Sequence, residues 1–97
     1  MKTMRVKTSE LTEQGLIHIL SLPDLSWQTC GPIIEREGLH ILCNDDRIEW
    51  LASAPNPNQR LVGWRQHAYG PTPLIAAMRC FCVSKLGNVV EVPDELV

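Results

Sequence analysis

The sequence predicts an α+β domain in which a small antiparallel sheet of three to four strands is covered by two helices. Two observations support the helices: a long apolar helical pattern over residues 73–86 and a shorter one over residues 12–21. Short strand patterns lie between these helices and after the second. With 97 residues, 44% of them hydrophobic and 21% charged, the chain has the composition of one globular domain, which we assign to residues 1–97.

The first helix is expected to begin after Thr12, because a threonine hydroxyl can cap the free N–H groups of a first turn. Pro23 is expected to end it. Residues 23–32 are rich in proline, glycine and polar residues, and therefore predict a loop. The run 32–36 is too short for periodicity to decide between a helical turn and an extended segment, and Gly38 is expected to end it.

Strand patterns occupy the middle of the chain and its end. The predicted segments are, in order, a strand at 39–43, a turn at 44–46, a strand at 47–52, a loop at 54–59, a strand at 61–67, a turn at 69–71, a strand at 89–92 and a tail at 94–97.

The helix over residues 73–86 has the clearest signals. Thr72 is the expected N-cap, Pro73 suits the first helical position, and Gly87 is the expected C-terminal stop. Its apolar ridge consists of Ile75, Met78, Cys82 and Leu86. Because the other sides also carry few polar residues, we expect the helix to be covered on more than one side.

Charge and hydropathy argue against several classes of protein. Nine Lys and Arg against eleven Asp and Glu give a net charge of −2, which argues against nucleic-acid binding. A local patch of Arg36, Arg47, Arg60 and Arg65 with Trp64 is the alternative. No apolar run reaches the ~18 residues of a membrane span, and no secretory signal pattern is present, so we expect a cytoplasmic protein without a membrane partner.

No motif fixes a catalytic, metal or cofactor site. The four cysteines, at 30, 43, 80 and 82, lack metal-ligand spacing with the three histidines and are expected to be reduced core thiols. A nucleophilic cysteine paired with a histidine is possible on paper. A small hydrolase acting on nucleotides would use Glu35, Glu37, His40 or His67 as acid–base groups. We assign no catalytic residue, metal or cofactor, and favour a protein that is not an enzyme.

The candidate ligand-binding residues precede the long helix. A helix N-terminus offers free N–H groups to an anion, and basic and aromatic side chains nearby could add charge and stacking. The candidates are Trp64, Arg65, His67, Tyr69 and Thr72. The alternative is that Thr72 is simply a cap and the tryptophans fill the core.

Several segments resemble one protein family. They are residues 7–12 (KTSELT), 31–37 (GPIIERE), 70–80 (GPTPLIAAMRC), 84–87 (SKLG) and 90–96 (VEVPDEL). Together they resemble the NinX-like proteins of lambdoid phages and prophages. The sequence departs from the family at Ile17-His18, where members often carry Asp-Trp.

The resemblance implies a phage accessory protein acting inside the bacterial host cell, and it supplies no catalytic residues. We therefore expect a binding protein directed against a host defence or regulatory component. Its expected partner is a host or phage protein, or a small anionic ligand. Sequestration of a nucleotide-type molecule is the alternative. A homo-oligomer is compatible with so small a core.

Overall fold

In a computed structural model of the protein, residues 2–43, 49–55 and 65–96 are described. They form an α+β fold, as predicted. The helices are α1 (Glu13–Leu20), α2 (Trp27–Glu37) and α3 (Pro73–Leu86). The strands are β1 (Thr3–Lys7), β2 (His40–Cys43), β3 (Trp50–Pro55), β4 (Arg65–Gly70) and β5 (Val89–Pro93). Two short 3-10 helices cover Thr8–Glu10 and Asp94–Leu96.

The strands divide into two antiparallel sheets. β1 pairs with β5, so that Lys7 lies opposite Val89. The other sheet has the order β2-β3-β4, which leaves β4 at an edge. β1 is not predicted from the sequence. Its residues Thr3–Lys7 alternate between polar and apolar side chains, but only two of the five are apolar, and in the structure only Val6 is partly buried. So short an alternation does not identify a strand without its distant partner β5.

The core is built around α3. Thr72 caps the helix by accepting a hydrogen bond from the Ile75 N–H at 3.2 Å, and Gly87 follows its last residue, as expected. Seven residues of the helix are buried, which confirms that it is covered on more than one side: Leu74, Ala76, Ala77, Met78, Cys80, Cys82 and Val83. Within the part of the chain that the structure describes, no helix has the length and hydrophobicity of a membrane span.

Small residues let α3 lie directly against the three-stranded sheet. Ala52, Ala54 and Ala68 are buried in this sheet. At Gly70, a Cβ atom would lie 2.7 Å from the Ala76 backbone nitrogen. A side chain at that position would therefore push the strand and the helix apart.

The apolar ridge predicted on α3 is correct at Met78 and Cys82, which are fully buried, and wrong at Leu86, which is 49% exposed. The reason is that the end of α3 projects from the core: Lys85 and Gly87 are exposed as well.

The loop predicted for residues 23–32 is wrong in its second half, because α2 begins at Trp27 and continues through Pro32. Its N-terminus is capped by Ser26, whose Oγ accepts from the Thr29 N–H. Pro32 is tolerated after Gly31, since a residue without Cβ avoids much of the clash that proline imposes on the residue before it. Gly38 ends the helix at φ +66°, as expected.

Strand boundaries also differ from expectation, since pairing with a neighbouring strand extends them. β3 continues through Ala54 to Pro55, where a loop is predicted, and β4 includes Tyr69 and Gly70, where a turn is predicted. The tail contains the 3-10 helix Asp94–Leu96. The predicted turn at 44–46, the start of the second strand at 47–48, most of the loop at 54–59 and the start of the third strand at 61–64 lie outside the described residues.

Met78→Asp tests the buried side of α3. We expect this variant to lose its cooperative unfolding transition, because the carboxylate would be buried without a partner. Leu86→Asp is the matched control, since the same change at an exposed position of the same helix should leave the melting temperature within a few degrees of wild type. Thermal melts followed by circular dichroism distinguish the two. Equal melting temperatures for Met78→Asp and wild type would contradict this packing.

Candidate functional site

The predicted ligand-binding residues divide between β4 and the start of α3. Arg65, His67 and Tyr69 occupy alternate positions of the edge strand β4, and His67 and Tyr69 are exposed. Thr72 is the N-cap of α3. Trp64 lies outside the described residues.

A groove of about 390 Å³ lies where β4, α3 and the junction of β1 with β5 meet. Of the predicted residues, His67 lines it. The other described lining residues were not identified from the sequence: Lys7, Ser9, Val83, Asn88 and Val89. Its volume is at the lower end of the range of about 300–1,000 Å³ typical of ligand pockets.

The groove combines hydrogen-bond donors with an apolar surface. Lys7 carries an ammonium group, and Ser9, Asn88 and His67 have side chains that can donate hydrogen bonds. Val83 and Val89 supply the apolar surface. No carboxylate is among the described lining residues, so the groove suits a ligand that is anionic or rich in carbonyl oxygens.

Thr8 holds one wall of the groove in place. Its side chain is fully buried, its Oγ1 donates to the Gly87 carbonyl at 2.7 Å, and its N–H donates to the Asn88 carbonyl at 2.9 Å. Lys7 and Ser9 flank Thr8 in sequence. The two hydrogen bonds therefore fix both lining segments relative to each other, and each contributes about 1 kcal/mol to stability.

Arg79 connects β4 to the segment before α1. Its Nε donates to the Leu11 carbonyl at 2.7 Å and its Nη1 to the Tyr69 carbonyl at 2.9 Å. Burial lowers the pKa of Arg79 from its usual value. Since Tyr69 is two residues from His67, this bridge fixes β4 beside the groove.

Cys30, Cys80 and Cys82 are buried, as expected, whereas Cys43 is exposed at the end of β2, so its assignment to the core is wrong. Two of the buried thiols have raised pKa values. Burial raises the pKa of Cys82 to about 12 and also raises the pKa of Cys30. A thiol must ionise to attack, so a raised pKa lowers its reactivity. Across residues 2–43, 49–55 and 65–96, no three His, Cys, Asp or Glu residues are grouped so as to hold a metal ion.

The acid–base candidates occupy separate places. The Glu37 carboxylate lies 3.0 Å from Arg36 Nε and 3.1 Å from Lys85 Nζ. Hydrogen bonds from Arg36 and then Lys85 lower the pKa of Glu37. Since Lys85 belongs to α3, the ion pairs of Glu37 join α2 to α3. His40 and His67 lie on the outer strands opposite Ser53, about 10 Å apart at the spacing of strands.

A family model described as Bacteriophage P22, NinX matches residues 3–85. The chain belongs to the NinX family. This match confirms the resemblance found in the sequence, and it spans every described element from β1 to the last turn of α3. No curated protein matches the chain of this NinX-family member.

Glu37→Gln tests the ion pairs at the end of α2. Because the pKa of Glu37 is lowered in the folded state, its stabilisation is complete above the ordinary carboxyl pKa and disappears as pH falls through the lower folded value. At pH 7 the variant should lose up to about 1 kcal/mol of unfolding free energy relative to wild type. This difference should vanish well below pH ~4.

Glu35→Gln is the matched control, since Glu35 is exposed and lies in no ion pair among the described residues. Urea unfolding at several pH values measures both variants. Equal pH profiles for Glu37→Gln and wild type would contradict a stabilising role for these ion pairs.

Proposed function

We propose that this NinX-family chain is a non-enzymatic phage accessory protein that acts in the bacterial cytoplasm by binding a partner through the groove beside His67. The observation that carries the proposal is the donor-rich lining of this groove. A chain of net charge −2 here presents Lys7 and three further donor side chains without an opposing carboxylate among the described lining residues.

The character of the other reactive groups supports binding over catalysis. Cys30 and Cys82 are buried thiols whose pKa values are raised, and Glu37 is occupied by two cations. General acid–base catalysis needs its groups within hydrogen-bond reach of one reacting atom. His40 and His67 lie about 10 Å apart across two strand spacings, so they cannot both reach the same reacting atom of a small substrate.

Exposed apolar side chains on the same sheet support a protein as the partner. Leu42 and Tyr69 are 61% and 49% exposed. The register places Leu51 between them, opposite both. Since directly opposite residues of a sheet share a face, these three form an apolar row. Large exposed apolar residues next to a polar groove are typical of an interaction surface.

The size of the groove favours a second candidate, sequestration of a small anionic molecule such as a nucleotide. A volume of about 390 Å³ accommodates a ligand of that class as well as a short protein segment. Arg65 and Tyr69, which alternate with His67 along β4, are then proposed as further contacts for the ligand.

Lys7→Glu tests the proposed function. We expect the tagged wild-type chain to capture a stoichiometric protein from bacterial lysate, and Lys7→Glu to reduce capture at least about tenfold, because it reverses the charge in the groove. Lys2→Glu is the matched control, since Lys2 is an exposed lysine outside the lining and should retain capture. Mass spectrometry of the eluted complex measures the ratio.

Three results would contradict the proposal that a protein partner binds in this groove. Equal capture by the two variants would place the partner elsewhere on the protein. A nucleotide retained by the wild-type chain and lost in Lys7→Glu would favour sequestration. Turnover of a nucleotide that is lost on substitution of Glu35 or His40 would contradict a role in binding alone.

A further inference from the structure

The backbone of β4 lies beside the groove, and this strand is an edge of its sheet. It pairs with β3 on one side, and the order β2-β3-β4 leaves its other side without a partner strand among the described residues. An edge strand carries backbone N–H and C=O groups that can pair with another extended chain.

The hydrogen bond from Arg79 indicates which backbone groups of β4 point outward. Arg79 Nη1 donates to the Tyr69 carbonyl at 2.9 Å, so this carbonyl is used on the side away from β3. In an antiparallel pair, both backbone groups of a residue point either toward the partner strand or away from it, and successive residues alternate. His67, two residues before Tyr69, therefore directs its N–H and C=O outward too, whereas Ala68 directs its own toward Ala52.

We propose that an extended acidic peptide segment of a partner protein binds in the groove and pairs with the outward backbone groups of His67 as an additional strand. This inference rests on the proposed function and names the chemistry of its partner. Added strands gain affinity from backbone hydrogen bonds and specificity from alternate side chains.

The lining defines the sequence pattern of the segment. Alternate side chains of a strand point in opposite directions. Val83 belongs to α3, which packs on the sheet face that carries Ala52 and Ala68, whereas His67 lies on the other face of β4. One set of side chains therefore meets Val83 and is apolar, and the other lies on the side of His67 and is acidic, to match the donor groups of the groove. A helix does not fit this description, because its backbone N–H and C=O groups are bonded within the helix and cannot pair with those of His67.

The experiment uses the full-length ¹⁵N-labelled chain and the blocked hexapeptide acetyl-Val-Glu-Val-Glu-Val-Glu-amide. Two further peptides carry N-methyl groups, one on the three valines and the other on the three glutamates. An added strand uses only alternate N–H groups. We therefore expect one methylated peptide to bind at least about tenfold more weakly and the other to bind about as well as the parent. Amide shifts at Ser9, His67 and Asn88 measure binding.

Two variants test the protein side of the pairing. His67→Pro removes the outward N–H at an edge position, where proline is compatible with the ladder, and should weaken binding at least about tenfold. His67→Ala keeps the N–H and is the matched control, with a smaller loss. If His67→Pro fails to fold, the methylated peptides decide the question alone.

The outcomes of this experiment separate a failure of strand pairing from a failure of the proposed function. Equal binding of the two methylated peptides would overturn strand pairing, as would the absence of peptide binding by a chain that still captures a protein through Lys7. Displacement of the peptide by ATP at lower concentration than an all-glutamate hexapeptide would favour the small-molecule site and overturn the proposal. Loss of one methylated peptide alone, with shifts at His67, supports it.

Discussion

The fold depends on direct contact between α3 and a sheet surface of small residues. Ala52 and Ala68 are buried in the sheet, and Gly70 approaches Ala76 so closely that a Cβ would lie 2.7 Å from the backbone. This close contact buries most of a 14-residue helix. It also fixes β4 beside the junction of β1 and β5, where hydrogen bonds from Arg79 and the buried Thr8 hold the lining segments in place.

Local signals were sufficient to predict the elements that the chain specifies by itself. Thr72, Pro73 and Gly87 mark both ends of α3, and the structure has the helix at those bounds. Elements that depend on distant partners were missed. β1 consists mostly of exposed residues and is a strand because β5, more than 80 residues away, pairs with it. The helix α2 was missed for a different reason, because Pro32 lies inside it and an internal proline is a signal against a helix, although Ser26 caps its start.

The candidate site was predictable only in part. His67 could be selected because it precedes the long helix in a stretch of polar and aromatic residues, and it does line the groove. Lys7, Ser9 and Asn88 belong to no sequence motif. Thr8 brings them together through its hydrogen bond to the Gly87 carbonyl, 79 residues later in the chain. The anion site expected at the start of α3 differs from this groove, since Thr72 caps the helix and is not among the described lining residues.

Amide hydrogen exchange of the unliganded chain tests most directly whether α3 forms the core and β4 presents an open edge. The structure predicts that the amides of Ala77 and Met78 exchange only on global unfolding. It further predicts that the His67 amide exchanges orders of magnitude faster than the neighbouring Ala68 amide, which pairs with β3. Equally slow exchange at His67 and Ala68, or exchange in α3 as fast as at the chain ends, would contradict this arrangement.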